Sequence, residues 1–390
     1  MTDQERFVRT LSFQSVDRVP RCELALWGQT FERWLGEGLP PDAIPGSDFF
    51  PGSEFFGLDR RDFIPVHTGI LPGYGYEVLE ETDRYVIARH DHGGVTKGLK
   101  TGTVRGTRLS MDQHLRAPVT DMDTFRDYQS RLNPDSPARY PGFLASRARE
   151  WNARDCSLQL LTNGAFGFYS HARTMMDTEG LSLAFHEQPA LVRAIMDHLE
   201  HFITTIIEKV FASGVRVDVF NFFEDMAYKT APLLSPATFR EFLFPGLKRV
   251  IAGLHEAGLP VIKHTDGMIR PLLEMILDSG IDCLDPIDPI AGMDIEMMKK
   301  QYGDRIALKG NVDCAHTLTF GTEKEVVEET KEVIRKAAGG GGLILSSSNS
   351  IHSSVKPGNY LAMWNAVRMY GKYPLSLDNW ADSGTVEAFS

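Results

Sequence analysis

The sequence predicts an α/β protein built as a (β/α)8 TIM barrel, with an N-terminal β-hairpin and helical elaboration. Three observations lead there. From about residue 156 onward, short apolar runs alternate with longer stretches of helical periodicity. Each run is brief and mostly apolar, as expected of a strand covered on both faces, so the sheet is parallel with right-handed crossovers. The marks of the competing open, doubly wound sheet are missing. No GxGxxG follows the first strand, no Walker sequence is present, and the glycine run 339–342 precedes a strand and so reads as a turn.

The elements follow in order. Arg21–Leu26 is the candidate first barrel strand. Tyr76–Leu79 and Tyr85–Arg89, separated by Glu-Glu-Thr-Asp, read as an antiparallel hairpin, and residues 110–155 read as helical and polar. Residues 72–150 are therefore an elaboration or lid of one domain spanning 1–375, with a loose tail at 376–390. Leu158–Thr162 is a strand, followed by Asn163-Gly164 and a helix over about 189–213. Val217–Phe222 is a strand ending at Glu224-Asp225. Ser235-Pro236 then opens a helix, serine as N-cap and proline in the first turn, that runs to about Ala257. Pro260–Lys263 is a strand followed by His264-Thr265-Asp266-Gly267, and Ile269, Leu272, Leu273 and Ile276 recur at helical spacing. Ile281–Leu284 is a strand ending in Asp285-Pro286, and a short helix follows Asp294. Ile306–Lys309 is a strand ending in Gly310-Asn311-Val312-Asp313-Cys314. Thr322-x-x-Glu325 is a capping box opening a helix that reaches the glycine run. Leu343–Leu345 is the last strand and Tyr360–Tyr370 the last helix.

Composition narrows the function. Of the 390 residues 42% are hydrophobic and 24% charged, which excludes a disordered chain or a coiled coil. The net charge of −11, with no Lys/Arg run, argues against nucleic acid or an anionic membrane as partner. Cys22, Cys156, Cys283 and Cys314 are scattered without a CxxC pair, as in a reducing compartment. The start MTDQERFVRT lacks the apolar core of a signal peptide and no stretch suits a membrane helix, so the expected location is cytoplasmic.

Barrel enzymes place their chemistry at the carboxyl ends of the strands. The strand assignment therefore generates its own candidates: Asn163, Glu224, Asp225, His264, Asp266, Asp285, Asp288, Asn311, Asp313, Cys314 and Asn349. His264 and Asp266, two residues apart after an apolar strand, can present two donors to one centre; the plain alternative is a hydrogen-bonded histidine and a helix cap. Glu224-Asp225 puts two charges directly after a buried strand, where each must be solvated, paired or metal-bound, and adjacent acids point in different directions, so only one of them faces the centre. Cys314 is a possible soft zinc ligand or an inert buried thiol. Asp285 and Asp288, in DPIDP, fit turn chemistry better than catalysis. His352 reads as a loop histidine. Trp27, Trp34 and the Phe pairs at 49–50 and 55–56 could line a pocket, with core packing as the default.

At these residues a resemblance emerges. The strings FFEDMAYKTAPLLSPATFREFLFPGLKRVI, VIKHTDGMIRPLLEMILDSGID, DPIAGMD, KGNVDC and LSSSNSIHSSVKPGNYLAM resemble the uroporphyrinogen decarboxylase superfamily, which also holds the cobalamin-dependent methyltransferases. VPRCELALWGQTFERWLGEGLP and FFGLDRR look like its branch known only as uroporphyrinogen decarboxylase domain proteins, and the resemblance runs in order over about residues 5–372. It implies a distorted (β/α)8 barrel. True decarboxylases of the family carry an arginine-rich MRQAGR element that holds propionate groups; here the stretch reads RCELALWGQT, with no arginine between Arg21 and Arg33, which speaks against a porphyrinogen substrate. The coenzyme M methyltransferases carry His-x-Cys and a later Cys as zinc ligands; here the first element is His264-Thr265-Asp266 and the later position falls near Ser348-Asn349. The resemblance then implies an oxygen-rich zinc site drawn from Glu224, His264, Asp266 and Cys314.

Three functions stand at this stage. The first is a zinc-dependent methyltransferase passing a methyl group from a small, methoxy-type substrate to a separate corrinoid protein, since the chain has no DxHxxG element to hold cobalamin itself. Glu224, His264 and Cys314 are its expected metal ligands, with Asp266 a ligand or the group orienting His264. Asn163, Trp27, Asp225, Asn311 and Asn349 are its expected substrate contacts. The second is a metal-free decarboxylase or lyase acting on a small carboxylated compound, with His264 and Asp266 as an acid pair and Lys263 or Lys309 as a basic hint. The third is a binding protein that reuses the barrel. Relatives of this kind suggest a homodimer.

Overall fold

The computed structural model describes residues 1–43, 53–100, 103–104, 107–108, 112–160 and 166–375. Asn163, the Phe49-Phe50 pair, the end of the expected strand 158–162 and the tail 376–390 lie outside the described residues.

Seven strands form one parallel sheet: β1 (Arg61–Phe63), β2 (Ser157–Leu160), β3 (Val219–Phe223), β4 (Val261–His264), β5 (Cys283–Asp285), β6 (Ala307–Val312) and β7 (Leu343–Ser347), in that spatial order. Every neighbouring pair is parallel. The expected first strand, Arg21–Leu26, lies beside β7 as two isolated parallel bridges, Arg21 with Leu345 and Leu26 with Ile351. The carbonyl of Arg21 also accepts from the Asp59 N–H, just ahead of β1. An α/β, TIM-barrel-like architecture is thus in place. The predicted strands shift by one to three residues, and β6 continues through Asn311, which puts that side chain inside the strand.

Alternation along the strands separates two apolar layers. Val219, Ile262, Cys283, Ala307 and Ile344 join Cys22 in one cluster with Phe7 and Leu11, while Phe220, Phe222, Val261, Leu284, Leu308, Leu343 and Leu345 belong to the large layer that packs against the surrounding helices. The first set faces inward. Phe7 and Leu11 come from the helix Asp3–Leu11, whose Thr2 and Glu5 form a capping box and whose apolar side lies against that inner set at the amino ends of the strands. One end of the sheet therefore has an apolar floor, and the opposite, carboxyl end is where polar groups gather.

The hairpin is part of a larger unit. Strands 77–81, 85–89, 95–99 and 113–116 make a four-stranded antiparallel sheet in the order of the chain. Residues 110–155 are therefore not helical throughout: Gln113–Arg116 is a strand, and helices cover Met122–Arg131 and Leu144–Asn152. Strand 95–99, itself paired to the β-branched and aromatic strand 85–89, recruits Gln113–Arg116 by pairing, which its local composition does not announce. A helix absent from the prediction, Phe168–Glu187, precedes Pro189–Ala212. The helix opened by Ser235-Pro236 ends as expected near Ala257, but in three parts, Pro236–Thr238, a π turn at Phe239–Leu243 and Phe244–Glu256. Pro245 accounts for the break, because it cannot donate to the helical ladder. The capping box at Thr322 and Glu325 is formed.

Candidate functional site

The inward phase of β3 and β4 continues past their ends. Val219, Asn221 and Phe223 alternate toward the interior, so Asp225 takes the next inward position and Glu224 the outward one. In β4, Ile262 and His264 face in and Lys263 faces out, in register with Phe222. This phase decides which acid meets the imidazole. Glu224 does not: it is 1% exposed, accepts from the Tyr169 N–H at 2.5 Å at the start of the helix Phe168–Glu187, and is ion-paired with Lys263. Gly167 has no Cβ there because one would collide with the Glu224 carboxyl carbon at 2.3 Å. The expected inward-facing Glu224 is corrected on this ground, and its neighbour takes the place.

Among the described residues, one group of three or more His, Cys, Asp and Glu side chains could share an ion: Asp225, His264 and Asp266, with one donor atom from each lying within 4.8 Å of the others. His264 Nε2 stands 3.4 Å from Asp225 Oδ1 and 3.7 Å from Asp266 Oδ1. Both of those oxygens are buried without a hydrogen-bond partner. On the other side of the ring, Nδ1 is 3.7 Å from Asp285 Oδ2, and Asp285 is paired with Lys309 at 2.8 Å. The Phe223 ring lies flat on the imidazole, centroids 4.0 Å apart. Asn349 donates to Asp266 Oδ2 at 2.8 Å.

The electrostatics follow from this crowding. Burial disfavours the charged imidazole, but Asp225, Asp266 and Asp285 outweigh it and push His264 up to about 10. Burial and the Asp225 charge push Asp266 up to about 6, against the pull of His264 and the Asn349 hydrogen bond. Asp225 and Asp285 are held below the usual carboxylate range: burial opposes this, and for Asp225 the His264 imidazole, for Asp285 Lys309 and His264, prevail. Three carboxylates around one imidazole form a pocket of negative charge that either keeps His264 protonated or receives a cation in the proton's place.

The other expected residues sort by geometry. Cys314 is buried beside Ser348, whose hydroxyl lies 3.7 Å from its sulfur, burial pushes the thiol up to about 12, and it does not join the Asp225–His264–Asp266 group. Asn311 donates to the Ile287 carbonyl at 2.7 Å and so braces the DPIDP turn. Asp288 accepts from the Ile290 N–H within that turn, as turn chemistry requires. Asp313 accepts from the N–H groups of Ala315 and His316. Trp27 sits at the end of the Arg21–Leu26 segment with its ring 6.2 Å from that of His352, while Trp34 and Phe56 pack in the core. Asp285, which sequence reasoning gave to the turn, is instead part of the site. Its signal was available: it ends an apolar strand on the same phase as Cys283, and the lysine in the otherwise apolar run of β6 demanded a buried acid.

The uroporphyrinogen decarboxylase (URO-D) family profile matches residues 159–370. A uroporphyrinogen decarboxylase of Chlorobaculum tepidum is 24% identical over 248 residues, 62% of this chain and 62% of its own length. One from Thioalkalivibrio sulfidiphilus is 26% identical over 195 residues, covering 48% and 51%. The matches thus span less than two thirds of the length of these curated relatives. Among solved structures, a methyltransferase from Methanosarcina mazei superposes with a TM-score of 0.61 over 95% of this chain and 99% of its own, at 17% identity, a likeness of fold.

Proposed function

The chain belongs to the uroporphyrinogen decarboxylase family, and from that membership we propose that it is a zinc-dependent methyltransferase, moving a methyl group from a small methoxy-type substrate to a separate corrinoid protein. The reading takes the seven strands together with Arg21–Leu26 as an eight-fold barrel whose mouth lies at the carboxyl ends. One observation carries it: His264 Nε2 faces two carboxylate oxygens, of Asp225 and Asp266, that are buried and have no hydrogen-bond partner. One imidazole nitrogen and two carboxylate oxygens are a donor set that suits zinc and leaves a fourth position for substrate.

In this reading Asp225, His264 and Asp266 hold the metal, in place of the earlier trio with Glu224 and Cys314. Asp285 orients the imidazole through Nδ1, and Asn349 holds Asp266 by its second oxygen. When bound, zinc acts as a Lewis acid on the ether oxygen, which makes the alkoxide a better leaving group. With the metal held by Asp225, His264 and Asp266, the ether's carbon–oxygen bond would break as its methyl group is given up to a corrinoid carried by the partner, and the released oxygen would take up a proton from solvent. Lys263 and Lys309 do not serve as substrate clamps, because Glu224 and Asp285 already pair with them. That pairing takes up the two lysines that served as the basic hint for a decarboxylase acting on a carboxylated substrate. A metal-free acid remains the second reading, favoured by the raised basicity of His264; in it the imidazolium protonates a carbanion after loss of carbon dioxide.

The test is metal content of the purified protein beside His264→Ala, Asp225→Asn and Asp266→Asn, followed by methylation of a supplied Co(I) corrinoid by methoxy compounds. Near-stoichiometric zinc that falls in all three variants, with methyl transfer following it, supports the reading. Equal and negligible zinc throughout discards it, and carbon dioxide release without a corrinoid then favours the second.

A further inference from the structure

A second polar site lies at the opposite ends of the strands. Arg21 opens the segment beside β7, and Arg368 stands in the last turn of the final helix, Pro357–Tyr370. Their guanidinium groups converge over Gly57, whose backbone is left-handed at φ +68. A Cβ on that glycine would stand 2.7 Å from Arg368 Nη1 and 3.6 Å from Arg21 Nη1, so the absence of a side chain is what lets the two cations draw together here.

Neither arginine has a carboxylate partner among the described residues. Arg21 Nε is shut off from solvent with no hydrogen-bond partner, and Arg368 reaches only the Phe56 carbonyl and the Asn365 amide oxygen. The nearest acid, Asp59, is already taken: Arg18 and Arg6 bond its carboxylate, and the Arg21 N–H adds a further bond at 3.1 Å. Both groups are half-buried, and burial together with the neighbouring guanidinium groups pushes Arg21 down to about 10. A structural arginine in such a place ordinarily acquires a carboxylate. Two guanidinium groups drawn together over Gly57 without a carboxylate, Arg21 with no side-chain hydrogen bond and Arg368 held only by neutral oxygens, instead make a receptor for an anion supplied from outside.

We propose that Arg21 and Arg368, converging over Gly57 at the amino ends of the strands, bind a small tetrahedral oxyanion of the phosphate class. The site is remote from His264 and independent of the methyl-transfer reading. The experiment is calorimetric titration of the full chain with inorganic phosphate at fixed ionic strength, with sodium chloride as the blank. The expected result is saturable binding at one site, weakened about 10-fold or more by Arg21→Gln or Arg368→Gln, as befits loss of a charge-assisted fork. Arg368→Lys, which keeps the charge and loses the fork, should weaken it less. Arg60→Gln, which removes an exposed arginine bound to Asp155, and His264→Ala should bind phosphate as the native chain does. Circular dichroism of each variant identifies any that fails to fold. Heats equal to the chloride blank, undiminished binding in the folded double variant Arg21→Gln/Arg368→Gln, or an equal loss in Arg60→Gln overturns the proposal.

Discussion

Glu224 and Asp225 are neighbours in the chain and opposites in the structure. Glu224 faces outward, with Lys263 on one oxygen and a helix N–H on the other. Asp225 faces inward and keeps one oxygen without a hydrogen bond, 3.4 Å from an imidazole nitrogen. Asp285 stands between the two, with Lys309 on one oxygen and the other, like one oxygen of Asp266, buried without a hydrogen bond. The difference separates groups that hold the molecule together from groups held ready for something else. A buried charge with all its bonds made is structural; a buried charge with a bond missing is stored binding capacity.

The largest effect should come from breaking the satisfied side. Lys263→Met strands the Glu224 charge in the interior and should cost about 3–5 kcal/mol in urea unfolding, whereas the double variant Lys263→Met/Glu224→Gln should recover much of it. A loss confined to metal uptake, with stability intact, would reverse the roles assigned to the two acids. Next is the pair of isosteric changes. Asp225→Asn should abolish stoichiometric zinc, and Glu224→Gln should lower stability while any folded protein still loads metal, read by elemental analysis.

The third prediction concerns pH. His264 rises to about 10 in the folded, metal-free protein from 6.5 unfolded, so its contribution is complete below pH 6.5 and is lost as pH climbs through 10. Metal-free protein should therefore weaken steadily across that window in denaturant melts, and Asp225→Asn should flatten the slope. The smallest effect belongs to Asn349→Ala, which frees Asp266: under about 1.5 kcal/mol in stability, but about 10- to 100-fold in zinc affinity by competition with a chelator. Equal effects on both readouts would show that Asn349 serves packing alone.

The sequence made the parallel strands and the carboxyl-end location of the site readable, because apolar runs and capping residues are local signals. His264, Asp266 and the alternation of neighbouring acids were legible too. Which acid faces inward was not. That depends on the phase of β3, and moving its end from Phe222 to Phe223 decides nothing until Val219 and Ile262 are seen in one interior cluster. Asp285 was missed because proline-rich turns use aspartate so often that Lys309, more than twenty residues on, went unmatched to it. The strand Gln113–Arg116 was missed because its partners lie elsewhere in the chain.

The helix Asp3–Leu11 has a consequence for traffic. Phe7 and Leu11 are seated on the apolar floor and, among the described residues, cover that end of the strands. In the proposed barrel, a solute bound for His264 would then enter past the carboxyl ends of the strands and depart by the same doorway, so that each departing molecule would compete with the next arrival.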